Sequence, residues 1–326
     1  MIQVGRVVVM GACFLTLVGC QDDYREIKPA ATVAFAAQLS DHSIYKWPQA
    51  DLVPDSGFVL LELNSTLYSD NALKQRLIRL PEGTSMTHQG DRRPNFPDGT
   101  VLVKTFYYPI EGSESGPNLQ VIETRLLVKS DGVWNAATYL WNQDQTDAML
   151  VNDGASVNVE YLDEQGDLRA LLYQVPSQRK CAKCHQSSGE MVPLGATVRN
   201  WNRAVLRDSQ QVHQLAWLQA QGLLNPFDLE VAPHIPNYAS EDVPLAERAR
   251  AYLDLNCSSC HHPEGIEEAQ GDGLDLRFET PFHQTGIGGH AERMLQNIAE
   301  GRMPDEGLVT VDEAGLALIQ EYVDSL

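Results

Sequence analysis

The chain has 326 residues, with 44 Asp and Glu against 24 Lys and Arg and a formal charge of −20. That negative excess argues against a nucleic-acid binder or a protein held by charge on anionic headgroups, and suits a redox partner with a basic patch, steered in at low salt. The length suits about two domains, and beyond the first twenty residues no apolar run approaches bilayer-spanning length.

The opening MIQVGRVVVMGACFLTLVGC has a short basic region with Arg6 and an apolar run from Val7 to Val18, too short for a mature membrane helix. It reads as a secretion signal over residues 1–19. Its end, Leu17-Val18-Gly19-Cys20, resembles the lipobox of bacterial lipoproteins. The resemblance implies cleavage before Cys20, loss of Cys13 with the signal, and acylation of Cys20 by enough chains for stable anchoring. The expected location is the cell envelope, as a periplasm-facing lipoprotein of the inner or outer membrane. Residues 20–50, polar and Ala-rich, read as the lipidated cysteine and a tether.

Residues 51–175 alternate strand-like runs with turns: FVLLELN, TVLVKTFYYP, LQVIETRLLVKS, GVWNAATYLW, SVNVEYLDE and RALLYQV, separated by DG, SDG, NDG and EQGD. This spacing predicts an antiparallel β domain, a sandwich or barrel. Asp144 and Asp147 sit in a polar stretch typical of turns and caps. His88 lies in a polar loop and supports no special role.

After the signal, four cysteines remain, in two CxxC pairs at Cys181/Cys184 and Cys257/Cys260, each followed at once by histidine in CAKCH and CSSCH. Histidine is 9 of 326 residues, so chance placement after both pairs is a roughly one-in-a-thousand event. Two thioethers at this spacing clamp the two vinyl positions of a haem, and the adjacent imidazole then lies under the iron. Such attachment is completed outside the cytoplasm, in accord with the export signal. A redox dithiol would follow a strand in a βαβ unit and open a helix, which the flanks YQVPSQRK and YLDLN do not suggest. A four-thiolate zinc site separates its pairs by roughly 15 to 20 residues, far less than here. Two covalently attached haem c groups are therefore expected, with His185 and His261 as axial ligands.

Residues 176–240 form the first attachment region. Pro176 interrupts the approach, so no amphipathic helix leads into Cys181. Its sixth ligand stays open between Met191 in GEMVPLG, His213 on the apparent helix SQQVHQLAWLQAQGLL, His234 in APHIP, another residue, or an open position able to take peroxide or another small ligand.

Residues 241–326 read as helices. Leu245–Asn256 has helical spacing after Pro244 and delivers the chain into CSSCHHP. AERMLQNIAE, 291–300, places Met294, Leu295 and Ile298 on one face and stops at Gly301. The last helix runs from an acidic N-cap at Asp312 toward Leu326. This order of helix, haem motif, helix, methionine and helix resembles class I cytochromes c. The resemblance implies Met303, in Gly301-Arg302-Met303-Pro304, as the second axial ligand of the iron on His261. Met294 reads as packing, and His262 as a surface residue.

From about Leu52 onward the chain also resembles a family of exported bacterial proteins with two CxxCH sites behind a β-rich region. LNSTLYSD, LPEGT, FPDGTVLVKTFYYP, TYLWNQDQTDA, YQVPSQRKCAKCH, PLGATVRNWNR and ARAYLDLNCSSCHHP carry that resemblance. It implies a dihaem c-type cytochrome. The fold class expected is multidomain α+β: an N-terminal antiparallel β domain followed by an α-helical, cytochrome c-like haem region. Single-electron transfer is the function expected, with a peroxidase or small-molecule oxidase reacting at the first haem as the alternative. Bacterial dihaem peroxidases differ in lacking a β domain before the first haem and in a longer interval between the sites.

Overall fold

The structure is a computed structural model and describes residues 33–91, 93–110, 119–163, 165–187, 190–266, 269, 271, 273–304 and 307–326. Cys20, and with it the signal and lipidation reading, lies outside the described residues.

Strands β1 (Val59–Leu60), β2 (Leu73–Arg79), β3 (Val101–Pro109), β4 (Leu119–Ser130), β5 (Val133–Trp141) and β6 (Ala148–Val151) form one antiparallel sheet in chain order. β7 (Ala155–Leu162) and β8 (Leu168–Val175) make a separate two-stranded hairpin. The expected antiparallel β region is present. Its sheet is open, with β1 and β6 at opposite edges, so the barrel alternative does not apply. The β4–β5 turn shows why DG was a reliable signal: Asp131 and Gly132 both have positive φ, 49° and 80°, the demand of a tight hairpin matched to strand twist. Strand β2 escaped the sequence reading because Lys74 and Arg76 interrupt its apolar pattern.

One sheet face is covered by residues that precede it. Leu39, Ile44, Tyr45, Leu52 and Phe58 pack with Leu77, Val103, Leu126, Tyr139 and Trp141 into one buried cluster. Asp147 Oδ2 accepts from the Ser40 hydroxyl at 2.6 Å and so pins this segment. Residues 33–50, read as part of a tether, thus belong to the core. Their apolar side chains sit in irregular turns, which carry no periodicity to read.

The other face has three zones. At one end Ile78 and Trp134 meet Trp201, Leu215 and Leu218. At the other, Phe106, Tyr108 and Ile122 lie under Tyr161, Tyr173 and Val175 of the β7–β8 hairpin. Between them lies a strip of polar side chains described below.

The remaining chain wraps this face. It comprises α1 (Gln178–His185), the short hairpin β9 (Gln186–Ser187) and β10 (Glu190–Met191), α2 (Val198–Trp201), the hairpin β11 (Ala204–Arg207) and β12 (Gln210–His213), and α3 (Gln214–Ala220). Residues 210–213, expected to begin a helix, are instead a strand. Asp208 and Ser209, at φ 49° and 64°, turn the chain back so that β12 pairs with β11. Helices α4 (Leu245–Asn256), α5 (Ile287–Ala299) and α6 (Glu313–Asp324) follow close to the expected spans. The Asp312 carboxylate caps α6 by accepting from Gly315 N at 2.9 Å. These helices share a buried cluster of Ala249, Tyr252, Leu253, Ile287, Ile298, Leu318, Ile319 and Tyr322.

The chain from Ala31 to Leu326 is one compact unit. The segment LNSTLYSD is the clasp. Ser65 N donates to Asn200 Oδ1 at 2.9 Å, its hydroxyl to Pro236 O at 2.7 Å, and Tyr68 N to Asn256 Oδ1 at 2.8 Å. Asp70, 1% exposed, accepts from the backbone of Val309 and Thr310 and from the Thr310 hydroxyl. Among the described residues no helix is long and apolar enough to cross a membrane.

Candidate functional site

Cys181, Cys184, His185, Cys257, Cys260 and His261 all line a single cavity of about 510 Å³ with largely apolar walls. Local structure explains how the first motif faces it. Pro176 ends β8, Ser177 O accepts from Cys181 N at 3.0 Å, and α1 begins. On a helix, positions 181, 184 and 185 stand at i, i+3 and i+4, so both thiols and the imidazole share one face. The strand-like run expected before the motif is β8, half of an antiparallel hairpin rather than of a βαβ unit.

His185 is set up as a neutral ligand. Burial, reinforced by Lys104, Arg125 and Arg93, pushes its pKa down to about 4. Its Nδ1 lies 2.7 Å from Val192 O, which can only accept, so Nδ1 carries the proton and Nε2 the lone pair. The residue is partly buried and lines the cavity. Nearby, Cys181 is 8% exposed and its Sγ lies 3.9 Å from Thr138 Oγ1.

The second motif follows α4 without a break. Cys257 N donates to Leu253 O at 2.9 Å, and the turn closes with Cys260 N and His261 N donating to Cys257 O. Burial, and then Cys260, push the Cys257 thiol up to about 12, the opposite of the depressed value a redox dithiol needs. No disulfide joins the four motif cysteines. Among the described residues no three His, Cys, Asp or Glu side chains gather as a bare metal ion would need.

Met303 lies just beyond α5 and lines the cavity, held by Met303 N donating to Asn297 O at 3.1 Å. Met294, expected to pack, joins the helical cluster and also lines the cavity. His262 turns its Nδ1 to Ser258 O at 2.7 Å. The sequence reading missed His290, which lines the same cavity and whose Nδ1 lies 2.9 Å from Gly286 O. Its spacing was the available signal: His290, Met294 and Ile298 stand four residues apart on one helical face.

Met191, His213 and His234 do not line the cavity. Met191 packs on the Trp134–Trp201 cluster. His213 caps α3, its Nδ1 accepting from Ala216 N, with Nε2 2.9 Å from Asn202 Oδ1. Both its nitrogens are thus engaged by the fold.

The polar strip crosses the sheet in register. Arg76 pairs with Lys104, Lys104 with Arg125, and Arg125 with Thr138, and all four line the cavity. Arg125 is neutralised by Glu123, which is fully buried: Nε donates to Oε2 at 2.9 Å and Nη2 to Oε1 at 2.5 Å. Tyr173 OH donates to Glu123 Oε1 at 2.7 Å. Among the described residues neither Arg76 nor Lys104 forms an ion pair. Burial pushes Arg76 down to about 10 and, with Arg76 and Lys74 beside it, Lys104 well below its usual range.

No family model matches the chain, and neither a curated protein nor a solved structure matches it.

Proposed function

We propose that the chain is a lipid-anchored dihaem c-type cytochrome that carries single electrons in the cell envelope. The observation that carries this reading is the opening of both CxxCH motifs, with their imidazoles, on one largely apolar cavity. The His185 hydrogen bond supports it, since a metal-bound imidazole keeps its orientation by donating its other N–H to a carbonyl. Cys181 and Cys184, and Cys257 and Cys260, would each hold a haem through thioethers, with His185 and His261 as axial ligands and Met303 as the second ligand at the His261 site. Bound haem supplies a one-electron Fe(III)/Fe(II) couple.

The chain's own residues perform the rest. Val192 O fixes the His185 ring, and largely apolar cavity walls would seat the macrocycle. The Met303 thioether, a soft and weak donor, would favour the ferrous state of bound haem. The order α4, CSSCH, α5, Met303 and α6 adds the resemblance to class I cytochromes c, and the resemblance to exported dihaem proteins adds the β-rich region before them. Cys20 is the proposed anchor, and the −20 charge points to a redox partner with a basic patch.

The reading is tested on protein matured in a host competent for c-type haem attachment. Mass and pyridine haemochrome spectra should report two covalent haems, and Met303→Ala should abolish the Met-type signature of one low-spin haem while leaving the other unchanged. Absence of covalent haem sinks the proposal.

A second reading, a haem enzyme of peroxidase or oxidase type reacting at the first haem, is favoured by one observation. Among the described residues lining the cavity, the Met and His side chains outside the two motifs are His290, Met294 and Met303, all on or just after α5. A high-spin first haem that binds cyanide would select this reading. A six-coordinate low-spin first haem in both redox states would reject it.

A further inference from the structure

We infer that Arg76 and Lys104 bind the carboxylates of the tetrapyrrole carried by Cys181 and Cys184, and so set the charge seen by that iron; this rests on the dihaem reading above.

The register of the polar row costs energy. Like charges directly opposite on neighbouring strands are destabilising, yet Arg76, Lys104 and Arg125 stand side by side on β2, β3 and β4. They do so in a chain where acidic residues outnumber basic ones by 44 to 24. Glu123 answers only one of the three, by its ion pair with Arg125. Lys74, on the same strand face as Arg76, donates to the neutral Leu67 O at 2.9 Å and adds a further positive charge. Arg76 and Lys104 are partly buried, and Lys104 Nζ stands 4.7 Å from the centre of the Phe106 ring; an anion in the cavity that both cations line would offset their charge.

The spacing identifies the anion. The row ends at Thr138, whose Oγ1 is 3.9 Å from Cys181 Sγ. Strands lie about 4.8 Å apart, so Lys104 and Arg76 stand about 10 Å and about 14 Å across the sheet from Thr138. A haem bound through its vinyl positions carries its two carboxylates on the far edge of the macrocycle. A haem lying along the row with its thioether edge at Cys181 would put those carboxylates over the Lys104 and Arg76 end. A small anion from solution would need no such span.

The experiment uses the haem-loaded full chain, with Lys104→Met, Arg76→Met, the double variant and Lys104→Arg. Reduction potentials are read by spectroelectrochemistry, and the propionate bending bands by resonance Raman. Removing either cation should shift the first haem's potential downward, because a lost positive charge favours ferric iron, and should move its propionate band. The potential of the Met303-ligated haem should hold, and Lys104→Arg should restore the first haem's values. Unchanged potential and band in the double variant, with both haems attached, overturn the inference. A wild-type potential that responds to added phosphate or azide, with the response lost in the variants, also overturns it, by marking a site for a solution anion. If the variants do not load haem, the wild-type protein decides: propionate bands of the first haem that persist from pH 7 to pH 4 support the pairing, and bands that vanish on acidification refute it. Wild-type protein without covalent haem fails the dihaem reading itself, which the mass spectrum reports separately.

Discussion

His185 shows how one side chain inherits its chemistry from its surroundings. Its ring is neutral because burial disfavours the charged form and the nearby Lys104 and Arg125 add to that. The folded value, about 4, lies below the ordinary 6.5. The unfolded chain therefore binds more protons between those values, and stability falls as pH drops from 6.5 toward 4. The contribution is on the order of 3 kcal/mol above pH 6.5. Guanidinium unfolding of the chain before haem attachment, where the His185 imidazole carries no iron, should show this loss. A stability flat from pH 7 to pH 4.5 would contradict the assignment.

At the scale of elements, helix packing turns on a single hydrogen. A Cβ at Gly315 in α6 would stand 2.3 Å from the ring of Tyr252 in α4, a contact neither helix can absorb without moving. Gly315→Ala should therefore destabilise the protein by about 1–3 kcal/mol through overpacking. Gly288, within α5, is the contrast, since an added Cβ there would meet nothing within 4 Å. Gly288→Ala should stabilise by about 0.5–1 kcal/mol from helix propensity alone. Chemical denaturation of the two variants side by side measures both signs.

Across the whole molecule, the two motif-bearing regions are coupled by buried charge. Arg199 of α2 donates to both Asp254 oxygens of α4 at 2.8 and 2.9 Å and also pairs with Glu279. Asp254 additionally accepts from Phe278 N. The Arg199 and Asp254 side chains are 8% and 7% exposed, so Arg199→Leu strands a carboxylate in the interior. The expected cost is about 3–5 kcal/mol, with part recovered on adding Asp254→Asn. A double-mutant cycle in guanidinium checks this, and equal losses with and without the second change would refute the coupling. LNSTLYSD works at the same scale, since its backbone and side chains bind α2, α4 and the approach to α6.

What the sequence determined by itself was whatever is written in short-range chemistry. The CxxCH spacing, the DG turn between β4 and β5 and the apolar stripes of α4 and α6 each depend on residues a few positions apart, and each was legible. The cavity was not, because its walls come from β2, β3, β4, α1 and the C-terminal helices, hundreds of residues apart in sequence. Strand β2 was hidden because Lys74 and Arg76 break its apolar pattern, and only the sheet brings Arg76 to the cavity. The rejection of Met191 and His213 as cavity residues likewise required the β11–β12 hairpin and the Trp134–Trp201 cluster, which claim those side chains for the fold. Tertiary structure alone decided that both motifs open on one space, because long-range packing against a shared sheet leaves no trace in local spacing.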